Sequence, residues 1–328
     1  MMKILIIQTA SLGDVILATA TANSIKELFP DCNISFLVKD SCAEVIRNNP
    51  VIDNIIVWNK SKRKYKNLFN VIKYVRYLNF DIVINFQRFF SSGLISALSK
   101  SSVIIGYKDN PLSVFFKRKI KHSIHSFHET ERNLILANTY FQNLKLAKPV
   151  VDIEIPKNEE ISALENKKFI TIFPGSLWQT KQLPIRKWCD FVKTVPDSIF
   201  VVIAGSKSDS SFANIIMEAR PTNILNVCGV LNIRESAWLM KKAYMNFTND
   251  SAPTHLASAV NANVTTVFCS TVPAFGFTPL SDVSNIVECL ENLDCRPCGI
   301  HGHVTCPKKH FDCGHKIEVS QLTSFLEL

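Results

Sequence analysis

Three short stretches place reactive groups where a strand gives way to a helix. In QTASLGDVILATA, residues 8–20, Asp14 stands at a helix start directly after the apolar run MMKILII. The positive end of a helix dipole stabilises negative charge there, and a plain capping role for Asp14 is equally open. In FPGSLWQTKQLP, residues 173–184, an apolar strand ends in Pro174, Gly175 and Ser176 and leads to Lys181. Small residues, a hydroxyl and a mobile cation can hold a diphosphate, although the spacing is not that of a Walker loop. In TNDSAPTHLASA, residues 248–259, Ser251 suits an N-cap and Pro253 a first turn, so free N–H groups would point at an anion or simply be capped.

Such loops need parallel strands behind them. The first half alternates β-branched runs (KILIIQ, ISFLV, NIIVW, DIVINF, VIIGY) with helical periods, among them Val15, Ala18, Ala22, Ile25 and Phe29 on one helix face. After the connection KPVVDIEIPKNEE the alternation restarts with FITIFPG and continues to VTTVFC. The pattern predicts an α/β protein of two doubly wound, Rossmann-like domains facing a cleft, residues 1–155 and 156–315. Ligands of open parallel sheets bind beyond the carboxyl ends of the strands, which is where the three stretches fall. The first loop holds a single glycine and does not fit the dinucleotide fingerprint G-x-G-x-x-G, so a hydride-transfer cofactor is not expected there.

The totals bound the function. A chain of 328 residues, 47% hydrophobic and 20% charged, is an ordinary globular composition. The N-terminal apolar run breaks at Gln8 without a cleavage site, and no stretch approaches the 18 or more apolar residues of a membrane span. A cytoplasmic protein is expected, with its ten cysteines reduced unless a metal holds some of them. The net charge of +9 is unevenly spread: residues 1–150 hold 21 Lys/Arg against 10 Asp/Glu, or +11, and residues 151–328 hold 16 against 18, or −2. An excess of that sign in one half attracts anionic partners or serves as a solvated face.

The motifs SLGDVILATA, PGSLWQTKQLP, TNDSAPTHLASA and STVPAFGFTPLS, in this order and spacing, resemble the ADP-heptose:lipopolysaccharide heptosyltransferases of glycosyltransferase family nine, with FTPLS nearest to the heptosyltransferase II branch. The resemblance implies a GT-B architecture and an inverting transfer without a divalent metal or other cofactor. It implies an acceptor-binding N-terminal domain, a C-terminal domain for the nucleotide sugar, and a terminal helix, residues 316–328, that crosses back to the first domain. It makes Asp14 the general base. It assigns Ser176 and Lys181 to the diphosphate, together with the helix start at Asp250, Ser251, Ala252, Pro253 and His255, and Glu235 to the ribose. Phe173, Leu183 and Ala252 depart from residues common in the family, and the first two could alter the sugar or base pocket.

The basic runs KSKRKYK and FFKRKIKH, with Arg88 and Lys108 after strands, suit an anionic lipopolysaccharide core presented at the inner membrane face, with Arg63, Lys64, Arg88 and Lys108 as acceptor contacts. No nucleic-acid module is recognisable. A different nucleotide sugar, or a non-catalytic basic protein binding an anionic polymer, are the competing readings. CRPCGIHGHVTCPKKHFDCGH, residues 295–315, can be a zinc site or a reduced loop. His128 suits a structural contact with Glu129 or Glu131, and Trp178, Trp188 and Trp238 suit packing or a pocket wall.

Overall fold

The computed structural model describes residues 1–61 and 63–326. Lys62 of the basic run and residues 327 and 328 of the expected terminal helix lie outside them. The chain divides into two compact units, Met1–Asp152 and Ile153–Leu328.

The first unit runs β1 (Lys3–Ile7), α1 (Leu12–Leu28), β2 (Asn33–Lys39), β3 (Asn54–Trp58), α2 (Lys64–Leu78), β4 (Ile82–Asn85), α3 (Phe90–Ala97), β5 (Val103–Tyr107), β6 (Arg118–Ile120) and α4 (Glu129–Phe141). All strand pairs are parallel, in the order β3-β2-β1-β4-β5-β6. The chain starts in the middle, winds outward to β3, and returns to the other side of β1 at β4. The β1/β4 junction is therefore the switch point of this sheet. Leu68, Val71, Ile72 and Val75 of α2 pack with Ile95 of α3 and Phe116 in one core cluster, and α1 packs on α4. The predicted one-faced pattern of α1 is broader in fact: residues 15–22 are buried without a break. Phe29 lies just past the helix end, its ring 5.8 Å from that of Phe141.

The second unit runs α5 (Glu159–Ser162), β7 (Phe169–Phe173), α6 (Ile185–Thr194), β8 (Phe200–Ile203), α7 (Ser210–Ala219), β9 (Ile224–Asn226), α8 (Ile233–Lys242), β10 (Met245–Asn249), α9 (Ala252–Ala259), β11 (Val264–Phe268), β12 (Ser284–Glu288), α10 (Asp312–His315) and α11 (Ser320–Thr323). Its sheet is also wholly parallel, ordered β12-β11-β10-β7-β8-β9, and repeats the topology with β7/β10 as the switch point.

The C-terminal residues depart from expectation. Among the described residues the terminal helix is the four-residue α11, which packs on α6, and Ile317, Leu322 and Leu326 enter the core beside Trp188 and Phe191. Burying these three apolar side chains anchors the segment to the second unit.

Candidate functional site

In the first unit the β1–α1 loop comes off the switch point. Gln87, after β4, donates its side-chain N–H to Gln8 after β1, so the two loops are tied where the strand order reverses. Ser11 is the N-cap of α1 and forms a capping box with Asp14. The Ser11 N–H and Oγ–H donate to Asp14 Oδ2 at 3.0 and 2.6 Å, and the Asp14 N–H donates to Ser11 Oγ at 3.4 Å. The capping role is thus real, but it occupies one carboxylate oxygen. Asp14 Oδ1 accepts no hydrogen bond among the described residues, so half of a fixed carboxylate stays open.

Lys60 is a residue whose role the sequence did not show. In a run of lysines it reads as surface charge, yet it is half-buried. Its Nζ lies 4.5 Å from the ring centre of Trp58 and donates to Thr9 O at 2.9 Å and Thr9 Oγ1 at 3.0 Å. It braces the loop that carries Asp14. Burial, followed by the neighbouring charges of Lys39 and Lys64, lowers its pKa from 10.5 to about 8.

Arg63, Lys64, Arg88 and Lys108, the predicted acceptor contacts, are exposed at the starts of α2 and α3 and after β5. They share the rim formed by the carboxyl ends of the strands, where Asp14 also stands. Behind them Glu129 is buried, and its carboxylate accepts from Arg132 Nε and Nη2 at 2.9 and 2.7 Å; burial pushes its pKa up. His128 takes the structural part predicted for it, its N–H donating to Glu131 Oε2 at 2.8 Å in the capping box of α4.

In the second unit the loops after β7 and β10 meet at the other switch point. Asn249, the last residue of β10, donates to Pro174 O at 2.7 Å and accepts from the Leu183 N–H at 2.9 Å. Lys181 Nζ and Asp250 Oδ2 are 2.6 Å apart, with only 15% and 7% of the side chains exposed. Thr271 Oγ1 donates to the same Asp250 oxygen at 2.6 Å. Lys181 is therefore held at the start of α9, its ammonium paired with the Asp250 carboxylate beside the helix terminus.

Ser251 occupies the predicted N-cap position of α9, with Ala252 and Pro253 opening the helix. Its hydroxyl turns back to Asn249 O at 3.2 Å and does not cap the first turn. Pro253 has no N–H and the Thr254 N–H donates to Ser251 O at 3.0 Å, so of the first three helical positions it is the Ala252 N–H that is left for another acceptor. His255 is buried in α9 with its ring 6.2 Å from that of Phe277.

Ser176 sits in the same loop, its carbonyl accepting from Gln182 Nε2 at 2.7 Å. Gly175 is required there, since a Cβ would collide with the Asp209 carboxylate. Glu235 is not brought to Lys181 by any contact among the described residues. Its Oε2 accepts from the Asn232 N–H at 2.8 Å in the capping box of α8, two strands away from β7. Phe173 and Leu183 are buried, and Leu183 belongs to the core. A cavity of about 530 Å³ opens against this loop between Pro174, Leu183, Trp188, Phe212 and Phe311. Trp188 and Trp238 are packing residues, and Trp178 is half-buried.

The cysteine-rich segment carries a second group that sequence reasoning missed. Its backbone is stitched to the Lys181 loop: the Thr180 N–H donates to His303 O at 3.1 Å, and the His303 N–H donates to Thr180 Oγ1 at 2.8 Å. Arg296 donates to the carbonyls of Cys269 and Thr271 at 2.8 and 2.9 Å and to Glu288 at 2.6 Å. The segment thus backs both Lys181 and Thr271. Burial first, then the neighbouring Cys298, pushes the Cys313 thiol up to about 12. Among the described residues no three or more His, Cys, Asp or Glu side chains are grouped to hold a metal ion.

The family model of glycosyltransferase family 9 (heptosyltransferase) matches residues 68–307. The chain belongs to glycosyltransferase family 9. It is an enzyme of the glycosyltransferase class with the α/β, GT-B type of fold. The lipopolysaccharide heptosyltransferase 1 of Campylobacter coli is 24% identical over 88% of this chain and 89% of its own. The lipopolysaccharide heptosyltransferase 3 of Escherichia coli K12 is 26% identical over 80% and 81%. Relatives named heptosyltransferase 1, 2 and 3 match at 24–26% identity, so the likeness carries the family and does not resolve the heptosyltransferase II branch that FTPLS suggested. Among solved structures, the E. coli ADP-heptose lipopolysaccharide heptosyltransferase II superposes with a TM-score of 0.76 over 98% of both chains at 18% identity, a likeness of fold.

Proposed function

We propose that this chain transfers a heptose from ADP-heptose to the anionic inner core of lipopolysaccharide, inverting the anomeric carbon and using no metal, at the cytoplasmic face of the inner membrane. The observation that carries the reading is the Lys181–Asp250 pair at the start of α9, on the switch point of the second unit. The names of the relatives supply the sugar and the acceptor class.

The chemistry is as follows. The acceptor O–H attacks the anomeric carbon, the C–O bond to the diphosphate breaks, its electron pair passes to the β-phosphate oxygen, and the acceptor proton goes to Asp14 Oδ1. Lys181 has three N–H donors, of which Asp250 uses one, so the others can meet the diphosphate. The Lys181 ammonium and the α9 terminus stabilise the charge that develops on the leaving group. Ser176 lies in the same loop and is assigned to the diphosphate. Glu235 is assigned to the ribose through Oε1, since the α8 capping box uses only Oε2. Arg63, Lys64, Arg88 and Lys108 receive the phosphates and carboxylates of the acceptor.

Thermal unfolding in EDTA against ADP, UDP, GDP, CDP and NAD tests the donor. A ligand at 100 times its Kd adds about 2.7 kcal/mol. A shift with ADP alone, followed by EDTA-resistant release of ADP from ADP-heptose in the presence of acceptor, is the expected result. A shift with another diphosphate would change the donor, and none at all would favour the anion-binding protein.

A further inference from the structure

We propose that Gln8 and Gln87 form an uncharged subsite that reads a hydroxyl group of the acceptor sugar, and so determine which saccharide is presented to Asp14. The subsite deepens the proposed function and rests on it for the kind of acceptor.

The two amides stand at the β1/β4 switch point, where ligands of an open parallel sheet collect. Gln8 follows β1 directly, and Gln87 lies two residues past β4. They are 1% and 6% exposed. Gln8 Oε1 accepts from the Gln87 side-chain N–H and, at 3.3 Å, from the Ala10 N–H. Both lone pairs of that oxygen are then engaged. The complementary atoms are left over: Gln87 Oε1 is buried and accepts no hydrogen bond, and Gln8 Nε2 donates none, among the described residues. An unpaired buried amide oxygen is costly, and native folds keep few of them without a reason.

The surroundings fix these amides without satisfying them. The Gln87 N–H donates to Asn85 Oδ1 at 2.9 Å, and its carbonyl accepts from Asn110 Nδ2 at 3.0 Å. Asn85 Nδ2 in turn donates to Ser96 Oγ at 3.0 Å. On the other loop Lys60 holds Thr9, and Ser11 holds Asp14. A fixed N–H donor beside a fixed C=O acceptor complements a hydroxyl, which both donates and accepts. An ionised phosphate has no proton to give to Gln87 Oε1, and the cation that suits it, the exposed Arg88, stands one residue further on. Through Ala10 the Gln8 amide is tied to the loop that carries Asp14, so the hydroxyl read here belongs to the same sugar as the one that attacks.

The test is titration calorimetry, in the presence of ADP, of a lipid-free core oligosaccharide and of analogues that lack one hydroxyl of the terminal sugar at a time. The unaltered chain is compared with Gln87→Met, which keeps the length of the side chain and loses the amide. With the unaltered chain one deoxy analogue is expected to bind about tenfold or more weakly than the parent. Gln87→Met should bind the parent about tenfold more weakly and no longer distinguish it from that analogue, while its melting temperature and its stabilisation by ADP are kept. An unaltered chain that binds no oligosaccharide, or binds every deoxy analogue like the parent, overturns the proposal, whether or not the variant folds. So does a Gln87→Met protein that keeps the parent affinity, which would leave a resident water as the partner of the amides. A variant that weakens the parent and all analogues by one common factor overturns it too, because the pair would then be a structural tie between the loops. Oligosaccharide that binds in the expected pattern but receives no heptose from ADP-heptose would instead count against the proposed function, because binding is read without any transfer.

Discussion

The two units share one topology and differ in what hangs from it. At the β1/β4 junction Asp14 stands on a loop braced by Lys60, among exposed cations and aromatic rings on the same rim. At the β7/β10 junction Lys181 and Asp250 are nearly buried, and Asn249, Thr271, Thr180 and His303 knit the surrounding loops to one another. A large amphiphilic acceptor is best met by an open rim of long side chains. A small diphosphate that changes charge during reaction is best met by fixed dipoles and a cation held in place. The same scaffold is thus specialised by loop chemistry, and the difference can be attacked residue by residue.

The largest effect is expected from Asp14→Asn. The asparagine carbonyl can still accept from Ser11, so melting should move by only a few degrees, while turnover falls about 10²- to 10⁴-fold with loss of the base. Steady-state kinetics and circular dichroism check this together. Lys181→Met should lower turnover about 10²- to 10³-fold and also destabilise the fold, because breaking a buried pair and leaving Asp250 costs about 3–5 kcal/mol. Adding Asp250→Asn should recover much of that stability, measured by urea denaturation, without restoring turnover. That split separates the energetic role of the pair from its chemical one.

Thr180→Val removes the hydroxyl that accepts from the His303 N–H, and should cost about 1–2 kcal/mol and raise the KM for the donor more than it lowers kcat. The smallest effect belongs to Lys60. Its folded pKa of about 8 lies below the 10.5 of the unfolded chain, so between those values the unfolded state binds more protons and native stability rises with pH. Relative to Lys60→Met, denaturation of the unaltered chain should show that rise from about pH 8 to 10.5, while the folded ammonium that braces Thr9 loses its charge around pH 8.

The fold was largely legible in the sequence, because alternating β-branched runs and helical periods admit few arrangements other than parallel sheets with their loops at one edge. Asp14, Lys181 and Asp250 could be singled out because each lies in the connection that follows a strand or in the first turn of the next helix, Asp250 directly after β10. Lys60 could not, since nothing in a lysine-rich run says which ammonium turns inward onto Trp58. Thr180, Thr271 and Arg296 were hidden for a different reason: their partners are 123, 21 and 25 residues away, and only tertiary contact reveals them. Glu235 also occupies a capping box, which residue type and spacing alone could have announced. The terminal helix was overestimated, because Ile317, Leu322 and Leu326 follow no helical stripe longer than one turn and find their burial in the nearer core.

The division of labour between the two switch points is tested most directly by the melting shift that ADP produces in the unaltered chain, in Asp14→Asn and in Lys181→Met. A full shift in Asp14→Asn together with a lost shift in Lys181→Met is the predicted outcome. A Lys181→Met protein that still gains full stability from ADP, or an Asp14→Asn protein that gains none, would contradict the assignment of donor binding to the second unit and base chemistry to the first.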